Sequence, residues 1–254
     1  MTPEERYLFD LQGYLVVPNA LSPAQLCELN AIMDRRIADE VDPEATQHRF
    51  YSPDSLLSWG AAYRELLDNP RVLPHITEMV GPHPRFDHDY ADIIRSGHSP
   101  IGATLHGGGA PFDECCFYTH KDGRIRCGLM VVAYNLHDVN PGDGGFGAVP
   151  GSHKANFPFP AQWHGLDQRH PCVTPVTGPA GTAIIFSEAM THGALPWRAK
   201  HERRTLFYKY SPGSISWSAQ YYDAEKYPDL TERQRAMLEA PNARYAHRPQ
   251  AKRG

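Results

Sequence analysis

The feature that most restricts the fold of this chain is a series of short apolar runs between residues 126 and 211, separated by clusters of glycine, proline, asparagine and aspartate. The runs are RCGLMVVAYNL (126–136), GFGAVPG (145–151), CVTPVT (172–177), GTAIIF (181–186) and RTLFYKYS (204–211). Several short strands joined by such turns are typical of a β-sandwich or β-barrel. The sequence therefore predicts a mainly β protein.

The first third of the chain has a different pattern, because its apolar residues recur at helical spacing. Tyr14–Val17 reads as a strand, and Ser22 with Gln25 forms a capping-box pattern at the start of a helix. Two more helical regions are predicted, in residues 55–69 and 70–81. We predict one domain in three parts, namely a helix-rich part (1–84), a β-core (about 85–215) and a polar tail (216–254).

Composition argues against several classes of partner and location. The net charge is −4 and no basic stripe dominates, so nucleic acid is not an expected partner. No run of about 18 apolar residues occurs and the first ten residues are charged, so we expect neither a membrane span nor secretion. The five cysteines form no C-x-x-C pair, which fits a cytoplasmic protein.

The segment YTHKDGR (118–124) contains the first candidates for metal chemistry. Residues i and i+2 of a strand point to the same side, so His120 and Asp122 can converge on one cation. His192, at a turn after the apolar stretch IIF, offers a third ligand. Two histidines and one carboxylate make the facial triad of non-haem Fe(II) oxygenases. The ordinary alternatives are a chance His-x-Asp pair and a turn histidine bonded to the backbone.

Arginine is the preferred partner for a co-substrate with a free carboxylate, because its planar fork matches the two oxygens. Arg203 and Arg204 lie on the predicted strand that follows His192. Neighbours on a strand face opposite sides, so only one of them points inward, and strand parity does not choose between them. A solvated ion pair with Glu202 is the alternative for both.

With these residues in order, the sequence resembles the phytanoyl-CoA dioxygenase family of Fe(II)/2-oxoglutarate-dependent oxygenases. The matching segments are FDLQGYLVVPNALSPAQL, the His120-x-Asp122 pair, YNLHDVNPGDGGFGAVPGSHK (134–154), THGALPW and RRTLFYKYSP. The resemblance runs from about residue 8 to residue 213. It implies a double-stranded β-helix, which is a cupin-like jelly roll, with N-terminal supporting helices.

The resemblance also implies the cofactor and co-substrates. Fe(II) is expected on His120, Asp122 and His192, with 2-oxoglutarate and O₂ as co-substrates. In the family, the arginine that binds 2-oxoglutarate usually lies eleven residues after the distal histidine, which favours Arg203 over Arg204.

Three further residues are candidates for binding the other end of the co-substrate, and each has a structural alternative. Tyr118 is either on the inward face with His120 or packed in the core. Asn135 is either in the cavity or a hydrogen-bonding residue at a strand end, and His106 is either in the cavity or a loop residue. His153, within PGSHK, is interpreted as supporting a turn.

The predicted function is oxidation, most simply hydroxylation, of a C–H bond in a small-molecule metabolite, with release of succinate and CO₂. In related halogenases a small residue replaces the metal-binding carboxylate, so Asp122 favours hydroxylation. Two alternatives stay open: a cupin-like metal dioxygenase that does not use 2-oxoglutarate, and a non-catalytic jelly-roll binding protein. We expect a monomer or homodimer.

Overall fold

The computed structural model describes residues 1–51, 56–95 and 100–245. The α-helices in these residues are Pro3–Gln12 (α1), Pro23–Glu40 (α2), Ala61–Arg64 (α3), Leu73–Val80 (α4) and Glu232–Met237 (α5). The strands are Tyr14–Val17 (β1), Gln47–Phe50 (β2), Pro84–Ile94 (β3), Tyr118–Lys121 (β4), Arg124–Cys127 (β5), Met130–Asn135 (β6), Gly145–Ala148 (β7), Thr174–Pro175 (β8), Ala183–Ser187 (β9), His192–Leu195 (β10) and Arg203–Pro212 (β11).

Most strands belong to two antiparallel sheets packed against each other. The larger sheet has the order β1-β9-β6-β11-β3-β2, and the smaller sheet has the order β10-β7-β8. Strands β4 and β5 form a separate hairpin. Strands that are neighbours in a sheet are mostly distant in sequence, as in β9 between β1 and β6. The predicted mainly β jelly roll with N-terminal helices is confirmed.

Helices cover the outer face of the larger sheet. Phe9 of α1 and Leu29 of α2 are fully buried in one apolar cluster with residues of the sheet, including Tyr134 and Tyr208. The predicted capping box of α2 is present, because the side chain of Ser22 accepts from the backbone N–H of Gln25 and the Gln25 side chain accepts in return. Among the described residues, no helix is long and apolar enough to cross a membrane.

The space between the two sheets is filled by a second apolar cluster. It contains Phe146 of the smaller sheet with Phe186 and Phe207 of the larger one. The rings of Phe146 and Phe186 have centroids 4.6 Å apart. This cluster makes a water-poor interior next to β10, where polar side chains are expected only with a partner or a function.

The longest strand, β3, was not among the predicted strands. Its sequence PRFDHDYADII carries three aspartates, and all three are buried. Asp87 pairs with Arg85 at 2.9 Å, and Asp92 pairs with Arg49 at 2.6 Å. Arginines on β3 itself and on β2 therefore compensate these charges, and the apolar alternation on which strand prediction depends is lost.

The helical region predicted over residues 55–69 is broken into short pieces. Two 3₁₀ turns, Leu56–Trp59 and Glu65–Asp68, flank α3. Gly60, with φ 141°, separates the first turn from α3 and interrupts the helix. Residue 55 and the last nine residues of the predicted tail lie outside the described residues.

Candidate active site

The predicted ligands His120 and Asp122 lie on the exposed β4–β5 hairpin. Lys121 pairs with Arg124, so Asp122 and Gly123 form the two-residue turn between the strands. Both turn residues have positive φ, 53° and 71°, which is the requirement of a type I′ turn. Asp122 is therefore not a strand residue, and the i, i+2 argument does not apply to it.

The structure does not bring His120 and Asp122 together with His192. His120 is exposed and lines a surface cleft beside Arg6 and Tyr7. Within the described part of the chain, no three side chains of His, Cys, Asp or Glu are grouped closely enough to hold a metal ion as they stand. The structure does not support the predicted triad of His120, Asp122 and His192. Asp122-Gly123 is a typical hairpin turn, and the hairpin that it forms lies outside the space between the two sheets.

His192 lies inside the jelly roll, as its predicted role requires. It is buried on β10, opposite Ala148 of β7, and its ring packs on Phe186 with centroids 4.8 Å apart. Its Nδ1 lies 2.6 Å from the carbonyl oxygen of Met190. Since a carbonyl only accepts, Nδ1 carries the proton and Nε2 keeps a free lone pair. Burial lowers the pKa of His192 to about 4, so the ring is neutral at pH 7.

His106 is the direct neighbour of His192 across the sheet edge. The two residues exchange both backbone N–H to O=C hydrogen bonds, each 2.9 Å. Side chains of residues paired in this way project to the same side. The ring centroids are 4.3 Å apart. Nδ1 of His106 donates to the carbonyl of Thr104 at 2.9 Å, so its Nε2 is also available as a ligand.

Glu188 and Lys209 form a buried ion pair beside these rings. Lys209 Nζ lies 2.6 Å from Glu188 Oε1, and the two side chains are only 11% and 13% exposed. The other oxygen, Oε2, lies 3.8 Å from His192 Nε2. Burial raises the pKa of Glu188, but Lys209 and His192 lower it, and the outcome is a pKa of about 2. The carboxylate is therefore ionised at neutral pH.

The structure distinguishes the two candidate arginines. Arg203 is 4% exposed and makes no ion pair within the described residues. Arg204 faces the other side of β11, where it pairs with Asp34 at 2.7 Å and with Glu202 at 2.5 Å. A Cβ placed at Gly145 would lie 3.5 Å from Arg203 Nε, so this glycine leaves space beside the guanidinium. Arg203 is thus a buried cation that makes no ion pair with a described residue; burial lowers its pKa, and the charge of Asp92 acts in the opposite direction.

Three further polar side chains with unpartnered buried atoms surround Arg203 on the same face. Thr205 lies two residues along β11, and Asn135 of β6 lies directly opposite it. The backbone N–H of Asn135 bonds to the carbonyl of Thr182. Among described residues, buried Nε of Arg203, Nδ2 of Asn135 and the hydroxyls of both threonines have no hydrogen-bond partner. We call these four residues the polar cradle.

Tyr118 lies away from this site, and its predicted place on the inward face is corrected. Its hydroxyl donates a short hydrogen bond to Asp10 of α1. Its ring meets His153 edge-on, with centroids 4.5 Å apart. His153 in turn reaches the carbonyl of Asp10 through Nε2 at 3.1 Å. The two aromatic residues therefore attach the hairpin and the PGSHK turn to α1.

The residues present fit a ferrous ion and a dicarboxylate. The two free Nε2 atoms are neutral nitrogen ligands, and bonds from Nδ1 to backbone carbonyls are the usual means of orienting metal-binding histidines. The polar cradle offers one cation and three neutral groups for an anion. Gly145 beside Arg203 and Ala148 opposite His192 are three residues apart on β7, about 10 Å. That separation suits an extended co-substrate.

Comparisons with known proteins bear on the class of enzyme. Residues 106–205 match the family described as phytanoyl-CoA dioxygenase (PhyH), and the match begins at His106. Ectoine dioxygenase from Nocardia farcinica is 25% identical over 228 residues, which cover 75% of this chain and 71% of that protein. Over residues 106–205 the chain is therefore similar to the phytanoyl-CoA dioxygenase family.

Solved structures support the same assignment. HygX from Streptomyces hygroscopicus, crystallised with nickel and 2-oxoglutarate bound, has a TM-score of 0.75 at 25% identity, covering 85% of this chain and 89% of HygX. The epimerase SnoN from nogalamycin biosynthesis, with a TM-score of 0.57 at 19% identity over 83% and 81% of the two chains, shows the fold alone. The predicted family and enzyme class, a dioxygenase, are confirmed.

Sequence reasoning missed four residues of the site. Thr205 lies two residues after Arg203 on β11, so strand parity was the available signal for it, whereas Thr182 directly precedes β9 and has no such signal. Glu188 precedes His192 by four residues, outside the His-x-Asp spacing. Lys209 was hidden in an apolar run as a lone charge. A charged residue within such a run is itself a signal, because burial requires a partner.

The hairpin provides a direct test of the corrected site. A variant that combines His120→Ala with Asp122→Asn should bind Fe(II) and turn over 2-oxoglutarate within about twofold of the unaltered enzyme, because both side chains are exposed. Asparagine is chosen because it tolerates the positive φ of the turn. Fe(II) affinity by anaerobic calorimetry and succinate formation are the measurements. A loss of more than about 100-fold in affinity would reinstate the original triad.

Proposed function

We propose that this chain is an Fe(II)/2-oxoglutarate-dependent oxygenase in which His106 and His192 bind the metal and Arg203 binds the distal carboxylate of 2-oxoglutarate. The observation that carries the proposal is the pair of neighbouring imidazoles, His192 buried and His106 exposed, together with a buried arginine that makes no ion pair with a described residue. A buried guanidinium nitrogen without a hydrogen-bond partner is costly in a protein without a ligand, and a carboxylate of 2-oxoglutarate would satisfy it.

Bound iron and 2-oxoglutarate together supply O₂ activation for oxidation of a substrate C–H bond, with release of succinate and CO₂. The chain contributes position, charge and exclusion of water. Met190 and Thr104 hold the two imidazoles through their Nδ1–H groups, so that both Nε2 atoms keep one orientation. Phe186 packs against the His192 ring and limits the water that reaches it.

Arg203 has the main part in binding the co-substrate. Its guanidinium presents donors in a fixed fork, and its burial strengthens a bond to a carboxylate. Asn135 Nδ2 and the Thr205 hydroxyl lie on the same face and can donate to the remaining lone pairs. A two-point hold, at the metal and at Arg203, selects a dicarboxylic acid of defined length.

The substrate is a small molecule, and we infer a polar metabolite rather than an acyl thioester. The ectoine dioxygenase relative, named for a small polar metabolite, supports this choice. Hydroxylation of the substrate is the simplest outcome, since it requires no additional catalytic side chain from the protein. The chain is proposed to act in the cytoplasm, as a monomer or homodimer.

The proposal is tested by loading the protein with Fe(II) under anaerobic conditions and then supplying O₂, 2-oxoglutarate and a panel of polar amino acids, amino sugars and terpenoid-like compounds. Succinate formation and oxygen uptake are recorded together. We expect them to rise in parallel with a matching compound. Oxygen uptake without succinate would favour the cupin-like dioxygenase, and absence of bound Fe(II) would leave a non-catalytic binding protein.

A further inference from the structure

The two histidines leave the identity of the carboxylate ligand open. In the His-x-Asp pattern the carboxylate follows the first histidine by two residues, and here that position is Gly108. Gly108 has φ 121°, and a Cβ at this position would lie 2.9 Å from the Thr191 hydroxyl oxygen. Gly107 is more restricted still, because a Cβ there would lie 2.6 Å from the carbonyl oxygen of Met190. The segment after His106 therefore has no room for an acidic side chain.

Two buried acids near the interior are already engaged. Asp92 receives a bidentate pair of hydrogen bonds from Arg49, at 2.6 and 2.7 Å. Asp87 accepts from Arg85 and from the backbone N–H groups of Trp217 and Ser218. Each of these carboxylates holds part of the fold together, so neither is free to bind a metal without breaking those contacts.

Glu188 differs from both, because its Oε2 has no hydrogen-bond partner within residues 1–51, 56–95 and 100–245. Oε1 is held by Lys209, while Oε2 points to His192 Nε2 at 3.8 Å. Atoms that share one ion at about 2 Å each are about 3 Å apart in neighbouring coordination positions. A movement of less than about 1 Å is thus enough to bring Oε2 to a common ion, and Lys209 need not let go of Oε1.

We infer that Glu188 supplies the carboxylate ligand of the iron and that Lys209 is a positioning residue that holds its second oxygen. The inference rests on the proposed function, which places the ion on His106 and His192. Glu188 then completes a set of two histidines and one carboxylate around the ion. It lies four residues before His192, on the turn between β9 and β10. Lys209, on β11 of the larger sheet, fixes the carboxylate as outer residues of metal sites do.

The experiment is an anaerobic calorimetric titration of Fe(II) into purified variants, with no co-substrate and no turnover. Glu188→Gln keeps the shape and the acceptor for Lys209 but removes the charge. We expect its dissociation constant to rise by more than about 100-fold, and that of Lys209→Met to rise by about 10- to 100-fold. Glu202→Gln is the matched control, because Glu202 also joins basic residues, Arg95 and Arg204, but lies away from the site.

Stability is measured by thermal unfolding for every variant. The double variant Glu188→Ala/Lys209→Met removes both charges, so no buried ion is left unpaired if a single variant fails to fold. If Glu188→Gln and the double variant bind Fe(II) within about threefold of the unaltered protein while His192→Ala does not, the assignment of Glu188 is wrong and the proposed function stands. If the unaltered protein itself binds no Fe(II), the proposed function fails.

Discussion

Replacing His192 by alanine should abolish measurable Fe(II) binding and all succinate formation, and replacing His106 by alanine should have the same effect. Each imidazole supplies one of the few ligands of the ion. Loss of an outer residue alone costs about 10- to 100-fold in metal affinity, so loss of a ligand should exceed that range. Anaerobic titration with Fe(II) measures the affinity, and succinate formation measures turnover.

His137 provides a control for the histidine variants. Its Nδ1 also lies close to a backbone carbonyl, that of Glu202 at 2.8 Å, and its ring is also near a second imidazole, that of His201 at 5.8 Å. His137→Ala should bind Fe(II) as the unaltered protein does. The site is misplaced if His106→Ala retains full affinity, or if His137→Ala loses it.

The second large effect is expected at Arg203. Arg203→Met should raise the dissociation constant for 2-oxoglutarate by about 100-fold or more, because removal of one partner of a buried charge pair costs about 2–5 kcal/mol, and each 1.4 kcal/mol is tenfold. Fe(II) affinity should change little, since Arg203 does not face the ion. Calorimetry with 2-oxoglutarate, on protein loaded with Mn(II) to prevent turnover, separates the two effects.

Arg204 is the matched control for Arg203, as an adjacent arginine on the opposite face of β11. It pairs with Asp34 and Glu202 and lies outside the interior. Arg204→Met should lower the melting temperature by a few degrees without changing 2-oxoglutarate affinity. If Arg204→Met weakens 2-oxoglutarate binding more than Arg203→Met does, the assignment of Arg203 as the arginine that binds 2-oxoglutarate is wrong.

The fold could be predicted largely because the buried strands β6, β9 and β11 are rich in apolar and aromatic residues. Prediction failed on β3, whose buried Asp87 is paired with Arg85 of the same strand and whose buried Asp92 is paired with Arg49, a residue that only the tertiary structure brings near. The local hydrophobic pattern predicts which positions of a strand are buried. It does not predict which distant residue pairs with a buried charge.

The site could be predicted only in part, and for a geometric reason. His192 follows the apolar strand β9 closely, and Arg203 was favoured over Arg204 by the spacing of the resembling family, since strand parity did not choose between them. His120 and Asp122 have the right spacing, but the turn at Asp122-Gly123 removes the strand on which that spacing depends. His106 precedes a glycine-rich loop, and only its backbone pairing with His192 shows that the two side chains meet.

The correction also changes what supports hydroxylation over halogenation. Asp122 was expected to be the carboxylate that keeps chloride from the metal, and it lies on the exposed hairpin. Gly108 stands two residues after His106 in its place. In the proposed site Glu188 is the carboxylate that keeps chloride from the metal. The assignment of Glu188 therefore bears on the choice between hydroxylation and halogenation as well as on the affinity for the metal.

The central claim is that one ion lies between His106 and His192, with a co-substrate extending from it to Arg203. The most direct measurement is a crystal structure of the protein grown anaerobically with Fe(II) and 2-oxoglutarate, with anomalous diffraction recorded at the iron edge. We predict one strong anomalous peak bonded to Nε2 of both histidines, and a carboxylate of the co-substrate paired with the Arg203 guanidinium. An iron peak on the β4–β5 hairpin, bonded to His120 and Asp122, would contradict the claim.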